Sequence, residues 1–298
     1  MSHRNQVPLL AALACVLLCS RFVAAQDVSA QCTGAFATSW GPTGNLETSS
    51  KTLLRSIENG RGTEMLAGTP VPFSTLTPFL PPGYAPETAA TTQPIPGYGF
   101  LFVANLRYAS SSLNSGEIRA SYVMIQIQAP AWADQQGLNS PGTFHFYVLK
   151  SYTSNKAFQD VLVDAGFPMD FRGDLDFSAS DTARNVSVPG AFRVSGAAFF
   201  TNTLPSGVSV VIWSQGGKGT SVVQVLNTPA VLGTGAATVL SPPGSCLSSL
   251  LKTTFPIFDC AGAPRSDAPG WSCTGPVVGL ANDFPGSNNL KVWQLQGN

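Results

Sequence analysis

The chain has 298 residues, of which 44% are hydrophobic and only 11% charged, with 16 Lys+Arg against 16 Asp+Glu. That charged share is under half the typical value of about 25%, and so much hydrophobicity with so little charge excludes a disordered chain. Balanced charge leaves no basic field for a phosphate backbone and argues against nucleic acid as a partner.

The N-terminus comes first. Arg4 and Arg21 bracket an apolar run from Val7 to Leu18, followed by Phe22-Val23-Ala24-Ala25. A basic start, an apolar stretch and small residues before a cut describe a secretory signal peptide over residues 1–25, cleaved after Ala25. The run is shorter than the ~18–20 residues that span a bilayer. The mature chain is therefore expected to be secreted or to lie in the lumen of the secretory pathway, with no membrane span. Cys15 and Cys19 leave with the signal, and Cys32, Cys246, Cys260 and Cys273 remain. Four cysteines in an oxidising compartment read as two disulfides, for which three pairings exist. The expected set is a local clip, Cys260–Cys273, and a long tie, Cys32–Cys246. Closing so long a loop contributes about 4–5 kcal/mol in the chain-entropy description. The sequon Asn185-Val186-Ser187 beside Pro189-Gly190 reads as a glycosylated surface turn.

Along the rest of the chain the dominant signal is β. Residues 26–59 read as an N-terminal segment with a helical turn at Lys51–Ile57. A short helical turn follows at Ser74–Leu80. Segments 98–109, 118–128, 143–152, 191–201, 207–215 and 219–226 are rich in β-branched and aromatic residues, bounded by Gly, Pro, Asn or Ser. In 98–108 one face carries Phe100, Phe102, Ala104 and Leu106, and the other Leu101, Val103, Asn105 and Arg107. Strands apolar on both faces need cover on both. The expectation is a mainly β domain over 60–240, an antiparallel barrel or double-layer sheet. The clear helix is 155–165, with Ser154 as N-cap, Gly166 as stop and one stripe of Ala157, Phe158, Val161, Leu162 and Ala165. From Ser241 a Cys/Pro/Gly-rich extension is expected to hang off the domain to residue 298.

The usual chemistry finds little purchase. There is no G-x-S-x-G elbow and no H-E-x-x-H. Gly233-Thr234-Gly235 lacks the rest of a phosphate loop, so it reads as a turn and no cofactor is expected. No C-x-x-C exists, and Asp170, Asp174 and Asp176 lack EF-hand spacing, so no metal is expected. His145 stands on a strand face with Tyr147 and Leu149, opposite Phe144, Phe146 and Val148, a setting usual for a structural histidine. Lys150 shares that second face and is the lysine to watch.

The order of segments carries a resemblance. Leu80-Pro81-Pro82-Gly83-Tyr84 follows an extended piece, then come strands, a turn with Gly116-Glu117, and a helix that runs into Ala165-Gly166-Phe167-Pro168-Met169. This resembles the acetoacetate decarboxylase family from about Gly60 to Val225. There a Leu-Pro-Pro corner precedes the strands, a Tyr-Gly-Glu turn supplies an acid, and a helix leads to an aromatic-Pro-Lys stretch. The resemblance implies that family's β-barrel fold and a ligand pocket holding Arg61, Glu117, Phe167 and Met169, with Ser115 where the turn tyrosine stands. Met169 falls at the Schiff-base lysine and Asp170 at its neighbour. An imine needs an amine freed by an apolar pocket or an adjacent cation, the activation that acetoacetate decarboxylase exemplifies. A thioether forms none. The resemblance thus implies a relative that binds a small apolar or keto-acid-like molecule and does not decarboxylate it. The alternatives are an enzyme of lyase or hydrolase type that uses Glu117 or His145 as base with Arg61 holding a carboxylate, and an extracellular structural or adhesive β-protein. The oligomeric state is not readable.

Overall fold

A computed structural model describes residues 32, 35–36, 50–90, 94–113, 115–180, 182–251 and 272–296. The signal segment 1–25 and Cys260 lie outside them, and with Cys260 the expected Cys260–Cys273 clip. The elements are β1 (Ser50–Asn59), β2 (Gly62–Pro72), α1 (Phe73–Leu76) with a 3-10 turn at Thr77–Phe79, β3 (Tyr98–Tyr108), β4 (Ile118–Ile127) and β5 (Thr143–Thr153). Then come α2 (Lys156–Asp164), β6 (Met169–Phe171), β7 (Asp176–Ala179), β8 (Ala183–Val188), β9 (Phe192–Gly216), β10 (Gly219–Ser241), α3 (Cys246–Leu251), β11 (Ser272–Phe284) and β12 (Asn288–Gln296).

The protein is mainly β, as its alternating segments require. The strands form one sheet in the order β1-β12-β10-β11-β2-β3-β4-β5-β9-β8-β7, with β6 beside β5 and a further pairing of β9 with β10. Four expectations are corrected here. The sheet is mixed, because β5 runs parallel to both β6 and β9. It keeps β1 and β7 as ends, so it is no simple closed barrel, although the β9–β10 hairpin joins its two halves. The C-terminal stretch is no appendage: β11 lies between β10 and β2, and β12 between β10 and β1. Lys51–Ile57 likewise is strand, since pairing with β12 supplies its backbone groups with partners that outweigh local helix preference.

Both faces are covered, as strands apolar on both sides demand. One face, here the inward face, gathers Met65, Ala67, Leu101, Val103, Val123, Ile125, Tyr147, Leu149, Val194, Val211, Trp213 and Val239 from strands far apart along the sheet. The curl is tight enough that β2 meets β9: a Cβ on Gly196 would lie 2.5 Å from Met65 Cε. The outward face carries Phe100, Phe102, Tyr122, Met124, Phe146 and Val148. Helix α2 covers part of it with Phe158 and Leu162, and Ile57 of β1 with Leu290 and Val292 of β12 covers another. The Cys32–Cys246 disulfide is present, with Cα atoms 4.7 Å apart, and ties the N-terminal segment to α3.

A one-residue irregularity decides what the inward face contains. Between β4 and β5 the register runs Ile125↔Tyr147 and Met124↔Val148, then skips to Val123↔Lys150 and Ser121↔Tyr152. The extra residue is a β-bulge, and it reverses the side on which every later residue of β5 points. Lys150 and Tyr152 thereby leave the face of Phe146 and Val148 and join the inward one. This corrects the simple alternation, which puts Lys150 with Phe144, Phe146 and Val148.

Candidate functional site

Polar side chains on the inward face collect at its two ends, and the two ends differ in kind. At one end Glu117, just before β4, is held by both arginines of an in-register pair, Arg107 of β3 and Arg119 of β4. Arg107 Nη2 lies 2.6 Å from Glu117 Oε2, and Arg119 Nε donates to Glu117 Oε1. Arg119 Nη1 also reaches Asp176 of β7 at 3.2 Å and donates to the carbonyl of Leu175. One row deeper, buried Ser121 donates to Asn105 Oδ1 at 2.8 Å, and Asn105 Nδ2 donates to the Met65 carbonyl. Beside that row are Tyr152 and the ion pair Lys150–Asp170 at 2.9 Å. Burial pushes the Glu117 carboxyl up, but hydrogen bonds and charge from Arg107 and Arg119 outweigh it and hold the group below the usual carboxylate range.

The turn that carries Glu117 is fastened to α2. Asn155, not Ser154, caps the helix: its Oδ1 accepts from Phe158 N at 3.0 Å. Its Nδ2 donates to Ser115 O, Ser115 Oγ and Glu117 O. An amide can accept at the helix end and donate backwards at once, which explains the one-residue shift of the cap. Gly116 takes φ +78°, which the turn needs and glycine allows.

At the other end Tyr84, carried in by the Leu-Pro-Pro-Gly corner, packs among three rings. Its centroid is 5.3 Å from Trp132, 5.3 Å from Tyr147 and 6.1 Å from Trp213. The Trp213 indole donates to His145 Nδ1 at 3.1 Å. An indole only donates, so Nδ1 is the unprotonated nitrogen and Nε2–H donates to Asn139 Oδ1, also at 3.1 Å. Burial lowers the His145 pKa to about 4, partly opposed by Asp134, and the ring is neutral at ordinary pH. With both nitrogens engaged, His145 is built as a structural residue.

The residues singled out from sequence are not brought together. Arg61 is exposed in the β1–β2 turn, where its carbonyl accepts from Ala109 N. Glu117 and His145 stand at opposite ends of the β4–β5 ladder, about 30 Å apart at ~3.3 Å per residue. Phe167 and Met169 are buried in the outward core with Phe158 and Leu162, so Met169 lines no site on the inward face. In the parallel β5–β6 pair it stands beside Ser151, while Asp170 stands beside Tyr152 and meets Lys150. Sequence reasoning missed Arg184 of β8. This arginine is 3% exposed and bonded to Asp283 of β11 at 3.0 Å. Its signal was present in the segment ARNVSV, where Arg184 alternates in step with Val186 and Val188 and so shares their buried face. Among the described residues no group of three His, Cys, Asp or Glu could hold a metal ion.

The class so defined is a mainly β protein with a curled mixed sheet, helices of four, nine and six residues among the described residues, and a charged inward end. No family model and no curated protein matches the chain. Among solved structures it is similar to the enduracididine biosynthesis enzyme MppR complexed with pyruvate, at 11% identity and TM-score 0.48, covering 81% of this chain and 90% of that one. It is also similar to acetoacetate decarboxylase from Legionella pneumophila, at 10% identity and TM-score 0.47, covering 82% and 88%. A third is an acetoacetate decarboxylase-like enzyme from Sphingomonas wittichii RW1, at 9% identity and TM-score 0.42, covering 81% and 93%. Two of the three bear the name of the family that the order of segments resembles. At such values no residue's role passes from them to this chain.

Proposed function

We propose that this protein binds a small keto-acid-like anion at the charged end of its inward face and does not decarboxylate it. The observation that supports the reading is the placement of Lys150, Arg107 and Arg119 on one face, each half-exposed and each held by a carboxylate. Planar guanidinium groups recognise a carboxylate through paired hydrogen bonds, and an incoming carboxylate competes on equal terms with those already present. The same placement speaks against imine chemistry. At the charged end Lys150 is paired with Asp170, whereas amine activation calls for an apolar setting with a second cation. The lysine lowered by burial and by a neighbouring cation is Lys51, beside Trp293 and Lys291. The enzyme alternative loses its constellation, because Arg61, Glu117 and His145 stand apart.

The test is titration with pyruvate and acetoacetate, followed by NMR, alongside borohydride reduction and peptide mass mapping. Saturable binding with resonances of Arg107, Arg119 and Lys150 shifted, and no trapped adduct, is the expected outcome. Absence of binding rejects the reading, and an adduct on Lys150 or any other lysine restores the enzyme. Secretion belongs to the same proposal: exported protein should begin at Gln26 and carry glycan on Asn185, which is exposed on β8. Intact mass before and after glycosidase treatment tests both.

A further inference from the structure

Helix α2 needs one acceptor at its start, and Asn155 supplies it through Oδ1. Serine or aspartate caps a helix about as well as asparagine does, and Ser154 stands one residue earlier. What asparagine adds is an amide with two N–H donors. All three contacts of that amide go to one turn, 38–40 residues earlier in the chain: Ser115 O at 3.2 Å, Ser115 Oγ at 2.9 Å and Glu117 O at 3.1 Å. Asn155 is 4% exposed, so these bonds form out of water, where a lost partner is costly.

Packing does little for that turn. Ser115 and Gly116 are exposed, and a Cβ placed on Gly116 would meet nothing within 4 Å among the described residues. Yet the turn must deliver the Glu117 carboxylate to a fork between Arg107 and Arg119. The same corner fixes one of those arginines. The Arg119 carbonyl accepts from Thr153 Oγ1 at 2.8 Å and from Ser154 N at 3.0 Å, and Thr153 Oγ1 accepts from Asn155 N at 3.1 Å. Arg107 follows, because it pairs in register with Arg119. The start of α2 therefore meets both the turn that carries the acid and the strand that carries its partner.

We infer that Asn155 is the positioning residue of the charged end: its amide sets where the Glu117 carboxylate stands between Arg107 and Arg119, and so how the two guanidinium groups are presented to an incoming carboxylate. For affinity this rests on the anion-binding reading given above, whereas the position of Glu117 is a property of the unliganded chain. Asn155 acts through Glu117 and touches no ligand. Half-exposed ion pairs exchange readily with water. A buried amide bonded to the backbone of their carrier does not, so α2 supplies the rigidity that the ion pairs lack.

Asn155→Ser in the full chain keeps a capping oxygen and removes the donors. The Glu117 carboxyl, titrated by carbon NMR, should move up from its low value towards the ordinary carboxylate range. Pyruvate affinity, by calorimetry, should fall about tenfold, the size of one hydrogen bond to a charged group. The effect should be non-additive with Glu117→Gln: that variant and the double variant should bind pyruvate alike, because the carboxylate through which Asn155 acts is gone. Lys156→Gly weakens the first turn of the same helix and leaves the donors of Asn155 in place, so it should move neither quantity. A merely structural cap predicts a Glu117 titration that Asn155→Ser leaves unmoved, or that Lys156→Gly moves equally; either result overturns the inference. Should Asn155→Ser fail to fold, Asn155→Asp keeps the cap and the size, replaces the donors by acceptors, and is read in the same way. If neither variant folds, the amide is required for folding as such, which also overturns the inference. Wild-type protein that binds no pyruvate defeats the anion-binding reading, and the Glu117 titration then decides the positioning by itself.

Discussion

The two ends of the inward face use polar groups in opposite ways. At the aromatic end one buried chain is matched, with Trp213 donating to His145 and His145 donating to Asn139. At the charged end they are half-exposed and shared, with Glu117 between two arginines and Arg119 between two carboxylates. Buried, matched groups are expensive to disturb because each lost partner leaves an unsolvated atom. Half-exposed ion pairs contribute little, since water and salt replace either partner. The aromatic end should therefore carry stability and the charged end recognition.

Truncating the aromatic end should have the largest effect. Trp213→Ala removes the donor to His145 and a fully buried indole, and should cost about 3–5 kcal/mol in chemical denaturation. A loss under about 1 kcal/mol would show that this end is loosely packed.

Acid should come next. His145 is neutral when folded, with its pKa lowered from 6.5 to about 4. A depressed histidine means that the unfolded chain takes up the proton first as the pH falls. Stability is therefore full above about pH 6.5 and declines down to about pH 4, by roughly 3 kcal/mol in all. His145→Gln should flatten that part of the stability profile, and an unaltered slope would reject the assignment. Glu117 acts in a lower window. Its depressed pKa gives a contribution present above the ordinary carboxylate range and lost only as the pH falls below it. The two ends can thus be separated by pH.

A smaller effect tests the corner that delivers Tyr84. Gly83 has φ +88°, and a Cβ there would lie 2.8 Å from the Trp132 ring. Gly83→Ala should cost about 1–2 kcal/mol, from backbone strain and displacement of that ring. An unchanged midpoint would mean that the corner relaxes freely.

The smallest stability effect belongs to the charged end. Glu117→Gln should lower stability by no more than about 1 kcal/mol, and salt should shrink the difference further. Its larger consequence should fall on binding, as Arg107 and Arg119 lose the carboxylate that orients them. A loss of several kcal/mol from this variant would erase the contrast between the ends.

Much of this architecture is determined by the chain's local pattern. Alternating apolar residues in 98–108 and 118–127 fix two-faced strands, the stripe of Phe158, Val161 and Leu162 fixes α2, and the even count of cysteines admits the long Cys32–Cys246 tie as one pairing among three. Each of these depends on neighbours within a few residues, or on simple counting. The site was less legible. Arg184 could be placed on a buried face from its alternation with Val186, but its partner lies 99 residues away on a strand that reads locally as a loose tail. The same distance in sequence hides the incorporation of β11 and β12 and the strand character of Lys51–Ile57, which depends on β12 for its hydrogen bonds. Lys150 is the clearest case. Its residue type and its strand are evident from sequence, yet the face it occupies depends on one extra residue in the β4–β5 ladder. Strand period is a local property, but register is set by the partner strand, and a slip of one residue sends a side chain from one core to the other.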